Sequence, residues 1–292
     1  MQRSFGRIAA LIGAGALAVV TPAFAAEPLT AVVTANDKGA PAAENAAVRV
    51  LHGSPDAPEV DVYVGATLAT AAKVDALSGL SFGEISGYVE VPAGTYAVKV
   101  CATADATICP IEVPALPLAA ATRYTVAASD ALASIDANVF VDDPDLAETA
   151  QAQVRVVHLS ADTPAVDILT QAGDSIGIDG LTYPNRAPAT GYAKFPPASY
   201  DLKVCASADS TVCPLDPGAL DLAAGTAYSV FAVGSLDATL AAAATPPPTS
   251  TVAPTQDGSS NGSLMVILAV VALAGAGALA MNRRLAPRRV EK

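Results

Sequence analysis

The chain has 292 residues, of which 52% are hydrophobic and 15% are charged, and it contains no Trp. This apolar content excludes a disordered protein. Its 16 Lys and Arg residues stand against 28 Asp and Glu residues, a formal net charge of -12. A surface of that sign repels the phosphate backbone, so a nucleic-acid-binding protein is excluded as well. Four Cys residues cannot hold a chain of this length together, so folding must rest on apolar cores.

The N-terminus predicts a secretory signal peptide over residues 1–25. Arg3 and Arg7 precede the apolar run Ile8–Val20, and Ala23-Phe24-Ala25 follows it, which is the small-x-small pattern read by signal peptidase. The run is short for a membrane span and ends at a cleavage site, so cleavage and export are favoured over a retained helix.

The body of the chain is an internal repeat. The block Val48-Arg49-Val50-Leu51-His52 returns 106 residues later as Val154-Arg155-Val156-Val157-His158. Further along, a Gly-Tyr pair and the block Lys-Val-Cys-Ala return at an offset of 104 residues, so the second copy has lost two residues. We therefore predict two homologous domains, residues 46–142 and 153–237, joined by an acidic segment.

Within each repeat, short segments with a period of two lie between turn residues. Tyr96, Val98 and Val100 share one face of such a segment, and Tyr200, Leu202 and Val204 share the equivalent face. This pattern predicts half-buried strands. The remaining predicted strands of the first repeat are Val48–His52, Val60–Val64, Tyr88–Val91 and Arg123–Ala127. The Ala-rich piece Leu68–Leu77 is ambiguous. We expect an all-β protein with two tandem antiparallel β-sandwich domains of immunoglobulin-like size.

The repeated block His-x-Ser-x-Asp-x-Pro-x-Val-Asp resembles a known family. Together with the later Gly-Tyr, the turn Pro92-Ala-Gly-Thr-Tyr96 and a closing strand, it is similar to the bacterial domain-of-unknown-function family 4397. That resemblance implies a secreted all-β module, often present in tandem, with no established activity. The second repeat departs from the pattern because it has Ala198-Ser199 where the first has Gly94-Thr95.

The same block carries the candidate functional residues. They are His52, Ser54, Asp56 and Asp61 in the first repeat and His158, Ser160, Asp162 and Asp167 in the second. A hydrolase would use the serine as nucleophile and the histidine as base. Ser and Asp beside Pro are also good turn formers, and we favour a structural role for the set.

Calcium is a third reading of the acidic residues, because carboxylate oxygens are its preferred ligands. The second repeat has Ala165 where the first has Glu59, and neither copy contains an EF-hand loop. We expect a solvated acidic surface, with no metal and no cofactor.

The cysteines form two pairs with the same spacing. Cys101 and Cys109 lie in the first repeat, and Cys205 and Cys213 lie in the second. In an exported protein this predicts one disulfide inside each repeat, clamping a hairpin loop. A zinc site is the alternative, but no His lies near either pair.

The C-terminal part predicts an anchor. Residues 245–263 are rich in Pro, Ser and Thr and predict an extended stalk. Leu264–Met281 is uncharged and long enough for a transmembrane helix. Residues 282–292 carry four Arg and one Lys, which stay on the cytoplasmic side.

These features predict a single-pass protein of the cell membrane whose N-terminal domains are extracellular. We expect its tandem β-domains to act as a binding or envelope-structural module with an envelope protein or glycan as partner, and we expect no catalysis. The alternative is an extracellular hydrolase that uses the repeated His, Ser and Asp positions.

Overall fold

The computed structural model describes residues 25–36, 39–145 and 147–239. Almost all of the expected signal peptide, the stalk at 245–263, the apolar segment at 264–281 and the tail at 282–292 lie outside the described residues. Within the described ranges, no helix has the length and apolarity needed to cross a membrane.

The described chain is all-β and contains several sheets, as the sequence predicts. Its first nine strands are β1 (Thr30–Asn36), β2 (Asn45–His52), β3 (Val60–Gly65), β4 (Ala72–Lys73), β5 (Val89–Pro92), β6 (Gly94–Ala102), β7 (Ile111–Leu118), β8 (Arg123–Ser129) and β9 (Asp136–Val141). The other seven are β10 (Ala152–His158), β11 (Val166–Thr170), β12 (Arg186–Ala187), β13 (Ala193–Phe195), β14 (Ala198–Ala206), β15 (Leu215–Leu222) and β16 (Ala227–Val233). The ambiguous Ala-rich piece forms two 3₁₀ helices, Leu68–Thr70 and Asp75–Leu77, on either side of β4.

The strands form four sheets. In the first repeat, the outer sheet has the order β4-β3-β6-β7 and the inner sheet has the order β5-β2-β8-β9. In the second repeat, the inner sheet has the order β1-β16-β10-β12, with β13 also pairing with β10, and the outer sheet has the order β11-β14-β15. One apolar core lies between the two sheets of each repeat. A third core joins the two inner sheets through side chains such as Leu51, Val157 and Phe231.

The inner sheets correct two sequence predictions. Both are mixed rather than antiparallel, because β2 runs parallel to β8 and β10 runs parallel to β16. The chain passes through the outer sheet between the two strands of each pair, and this long crossover brings it back in the same direction. The predicted strands Val48–His52 in β2 and Arg123–Ala127 in β8 are also buried along their whole length, rather than half-buried, because a second sheet covers each face.

The two repeats exchange their first strands. β1 precedes the first repeat but pairs antiparallel with β16, the last strand of the second. β9 precedes β10 and pairs antiparallel with β8, the last strand of the first repeat. β1 lies outside the domain bounds expected from the repeat. Its N-terminal neighbour Glu27 meets the end of the second repeat, where the Ser235 N–H donates to the Glu27 carbonyl oxygen at 3.0 Å.

Candidate functional site

Both histidines of the chain are buried at the ends of equivalent strands. His52 ends β2 and His158 ends β10, with exposed fractions of 0% and 1%. Their Nε2 atoms lie 2.9 Å from the Pro58 carbonyl oxygen and 3.2 Å from the Pro164 carbonyl oxygen. A carbonyl only accepts, so each ring carries a proton on Nε2. Burial lowers the pKa of both imidazoles, although the bond to the carbonyl opposes part of that shift.

The serines of the motif are buried beside them and make different contacts. The Ser54 Oγ has no hydrogen-bond partner among the described residues. The Ser160 Oγ donates to Asp162 Oδ1 at 2.9 Å and lies 2.7 Å from Thr163 Oγ1. In the described part of the chain, neither serine Oγ is hydrogen-bonded to the imidazole of its own repeat, the contact on which the hydrolase interpretation depends.

The first aspartate of each motif fixes the loop that follows the last strand of the same repeat. The Asp56 Oδ1 accepts from the Leu132 N–H, 2.6 Å away. Asp162 accepts from the Ser235 Oγ at 2.7 Å and from the Leu236 N–H at 3.0 Å. Burial raises the pKa of Asp162, but these hydrogen bonds outweigh it and leave the pKa below its ordinary value.

The second aspartate of each motif, on β3 or β11, accepts a hydrogen bond from a glycine N–H in the segment between β4 and β5 or between β11 and β12. The Gly79 N–H lies 3.0 Å from Asp61 Oδ1, and the Gly180 N–H lies 2.7 Å from Asp167 Oδ1. Asp61 also binds the Lys73 ammonium at 2.7 Å. Burial alone would raise the pKa of Asp61, but the hydrogen bonds that it accepts, first that from Lys73, lower it.

No group of three or more His, Cys, Asp or Glu side chains in the described chain is arranged to hold a metal ion.

The cysteine pairing predicted from the sequence is confirmed. Cys101 is bonded to Cys109, and Cys205 is bonded to Cys213. Each bridge ties the end of the long central strand of an outer sheet, β6 or β14, to the loop before the next strand. Cys101 and Cys205 are fully buried.

Between the inner sheets lies a cluster of polar side chains that we call the arginine–tyrosine cluster. Its members are Asn36, Arg49, Tyr88, Thr125, Asp142, Arg155, Tyr192 and Ser229. It has two equivalent halves, one around each arginine. Both guanidinium groups are buried, since Arg49 is 2% exposed and Arg155 is 0% exposed.

Each arginine is held in the same way by equivalent partners. The Nε of Arg49 donates to the Thr125 Oγ1 at 2.8 Å, and its Nη2 donates to the Asn36 Oδ1 at 2.7 Å. Its guanidinium carbon lies 4.7 Å from the centre of the Tyr88 ring, close enough for a cation–π contact. Burial lowers the pKa of Arg49, and the Asp142 carboxylate opposes part of this shift.

The half around Arg155 has the Asp142 carboxylate where the half around Arg49 has the Asn36 amide, and this carboxylate also lies 3.6 Å from the Arg49 Nε. The Nε of Arg155 donates to the Ser229 Oγ at 2.8 Å, and its Nη2 binds Asp142 Oδ1 in an ion pair. Its guanidinium lies 5.1 Å from the centre of the Tyr192 ring. Asp142 also accepts from the Tyr88 hydroxyl at 2.5 Å. Burial is the first cause of the raised pKa of Tyr88, and the neighbouring Asp142 raises it further.

The sequence contains part of the signal for this cluster, although its local patterns did not predict it. Arg49 and Arg155 stand in the repeated strands as single charged residues among apolar ones. A charge there must be paired if both faces of the strand are buried. The repeated Gly-Tyr pairs supply the rings that cover the two guanidinium groups. Which tyrosine packs against which arginine could not be read from local spacing, because the two residues are far apart in the sequence.

The inter-sheet core of the second repeat contains a cavity of about 280 Å³. The corresponding cavity in the first repeat is about 90 Å³. The larger cavity lies between the second inner sheet and the second outer sheet, with lining residues from β1, β10, β11, β14, β15 and β16. The sequence did not indicate this difference between two homologous copies.

Comparison with known families and structures adds the following. A family model described as "Domain of unknown function (DUF4397)" matches residues 13–63 and 46–169, which together exceed half of the chain. The second match runs from the first repeat into the second. Comparison with curated proteins gives no match.

Two solved structures show only distant likeness. The TIE protein of Bacillus anthracis is 11% identical over 65% of this chain, with a TM-score of 0.19. A leucine-rich repeat protein from Bacteroides thetaiotaomicron is 10% identical over 65% of this chain, also with a TM-score of 0.19. The chain spans 34% of the first protein and 26% of the second. TM-scores of this size carry no argument about a shared fold.

Proposed function

The chain belongs to the DUF4397 family of domains of unknown function, and from this premise we propose that it is a membrane-anchored cell-surface protein. Its tandem immunoglobulin-like β-sandwich domains would act as a binding or envelope-structural module without catalysis. The partner would be an envelope protein or glycan outside the cell. The N-terminal domains would be extracellular, with a single C-terminal span in the membrane.

One observation carries the non-catalytic part of the proposal. The His and Asp side chains repeated in the two copies are engaged by the fold's own loops. Each imidazole faces the carbonyl oxygen of a proline six residues further on. Asp56 and Asp162 hold the loops after β8 and β16. The repetition of the motif is therefore explained by the repetition of the same loop structure.

A hydrolase would need a base and a nucleophile within hydrogen-bond reach of each other. The Nε2 of His52 is directed to the Pro58 carbonyl, and the Ser160 Oγ is directed to Asp162. No observation in the described chain favours the hydrolase over the binding module.

The anchor rests on the sequence. The uncharged segment Leu264–Met281 followed by a basic tail is typical of a stop-transfer helix with its C-terminus in the cytoplasm. The Pro-rich stretch 245–263 before it would hold the domains away from the bilayer.

The topology is tested by adding protease to intact cells that express the full chain with a C-terminal tag. We expect the protease to release a fragment that contains both β-domains, called the body below. We expect the tagged tail to stay protected until the cells are opened. Recovery of the body from the cytoplasm would contradict the proposal. The partner is sought by pull-down with the released body against envelope glycans and envelope proteins, with heat-unfolded body as the matched control.

A further inference from the structure

The two repeats share one fold but differ in the space between their sheets. At one register position the first repeat places Val113 opposite Val98, and Val113 packs against the core. In the second repeat, Gly218 lies opposite Leu202. The cavity between the two sheets is about 280 Å³ in the second repeat and about 90 Å³ in the first.

Two edge strands, one from each sheet of the second repeat, border the cavity on one side. β1 is the edge of the inner sheet and β15 is the edge of the outer sheet, and both contribute lining residues. Val33 on β1 is 41% exposed although it lines the cavity. Ala219 on β15 also lines it and is exposed. The mouth of the cavity therefore lies between these two strands.

The lining of the cavity is almost entirely apolar. None of the residues that surround the cavity is Asp, Glu, Lys or Arg. The imidazole of His158 lines it, but its Nε2 faces the Pro164 carbonyl and its Nδ1 accepts from the Ser160 N–H. The hydroxyl of Tyr200 donates to the Pro196 carbonyl oxygen at 2.9 Å. The other lining side chains are apolar, so burial of an apolar group is the interaction that the cavity can provide.

The cavity, at about 280 Å³, is larger than the closed apolar cavity of about 150 Å³ that stays dry and takes up benzene. It lies just below the volume of about 300 Å³ at which ligand pockets in general start. The cavity lies between two sheets and opens at their edge. A flexible chain can enter such a slot end first and leave its polar end in water at the mouth.

We propose that the second repeat binds the unbranched aliphatic chain of an amphiphile, with the chain between the two sheets and the headgroup between β1 and β15. A free fatty acid and a bilayer phospholipid share this chemistry. The first repeat, with its smaller cavity, does not bind one. This inference stands apart from the anchor and from the envelope partner, since it concerns the interior of one domain.

The test is photo-crosslinking of the full chain mixed with phosphatidylcholine vesicles, followed by peptide mapping of the adducts. One arm uses dodecanoate with a diazirine in its chain, and the other uses a phosphatidylcholine with the same group in an acyl chain. We expect adducts on lining residues of β14, β15 and β16. Labelling by dodecanoate identifies a free amphiphile, and labelling by phosphatidylcholine identifies a bilayer lipid. If neither probe labels the lining, the proposal is overturned.

Two variants close the cavity in different ways. Ala219→Phe places a ring at the mouth, and Val230→Phe fills the interior from β16. Each should reduce adducts on the lining at least tenfold while circular dichroism stays unchanged. The matched control is Ala115→Phe, which places the same ring at the equivalent exposed position of the first repeat and should label as the parent does. Undiminished labelling of the lining in both folded cavity variants would refute the assignment.

Discussion

Asn36 and Asp142 occupy equivalent positions, and each is bound by the arginine that lies thirteen residues further along the chain. The Nη2 of Arg49 donates to Asn36 Oδ1, and the Nη2 of Arg155 binds Asp142 Oδ1. Asn36 ends β1 and Asp142 directly follows β9. The structural repeat therefore starts with β1 and β9, and each of these strands completes the inner sheet of the other repeat.

The one carboxylate in the arginine–tyrosine cluster should be its most sensitive position. Asp142→Asn keeps the volume but removes the charge that pairs with the buried guanidinium groups of Arg155 and Arg49. Removing one partner of a buried pair typically costs about 3 to 5 kcal/mol. We expect a loss of that size in the free energy of unfolding, measured by urea denaturation followed by circular dichroism. Asp143→Asn is the control.

Asp143 forms an ion pair with Arg186 at 3.2 Å on the surface. Its loss should cost less than about 1 kcal/mol, because solvent screens exposed pairs. Equal effects of Asp142→Asn and Asp143→Asn would show that the buried charge does not stabilise the junction of the repeats.

The strand exchange predicts which strand loses local stability when β1 is deleted. Deleting Thr30–Asn36 removes one of the two partners of β16, which keeps its pairing with β10, and leaves β8 paired with β9. We expect amide hydrogen exchange in β16 to accelerate at least tenfold, the equivalent of about 1.4 kcal/mol of local stability. Exchange in β8 should change less. Acceleration confined to β8 would contradict the pairing.

The two buried imidazoles predict a loss of stability in mild acid. The pKa of each is lowered in the folded state, so between that pKa and 6.5 the unfolded chain binds more protons than the folded chain. Stability should be full above about pH 7 and fall as the pH drops through 6.5, by at most about 1.4 kcal/mol per pH unit for each histidine. Urea denaturation at pH 7.5 and 5.5 measures the fall.

His52→Gln and His158→Gln together should flatten this pH dependence, because no imidazole remains to bind the proton. A variant with the same slope as the parent would assign the acid sensitivity to other groups.

The disulfides should be auxiliary to the cores. Closing a loop of this length restricts the unfolded chain by the equivalent of about 2 to 3 kcal/mol. Replacing Cys205 and Cys213 together by Ser should lower the melting temperature of the second repeat and leave it folded, as judged by scanning calorimetry. The matched variant replaces Cys101 and Cys109. A second repeat without any thermal transition would show that the bridge is essential.

The sequence predicted what local patterns and repetition determine. Period-two segments identified strands such as β6 and β14, and the paired spacing identified both disulfides. It did not predict the direction of β8 beside β2, because that depends on the path of the chain through another sheet. Nor did it predict the cavity, because the space between two sheets depends on how side chains far apart in the sequence pack against one another.

The two ends of the described chain meet. The Ser235 N–H donates to the Glu27 carbonyl at 3.0 Å, and the Leu29 N–H donates to the Thr239 Oγ1 at 2.7 Å. A short linker between these two ends would join them into a circular chain that contains both repeats, without moving any strand. Cutting that ring before β9 would give a circular permutant in which every strand keeps its neighbours. The fold therefore does not require the two repeats to follow one another in their present order along the chain.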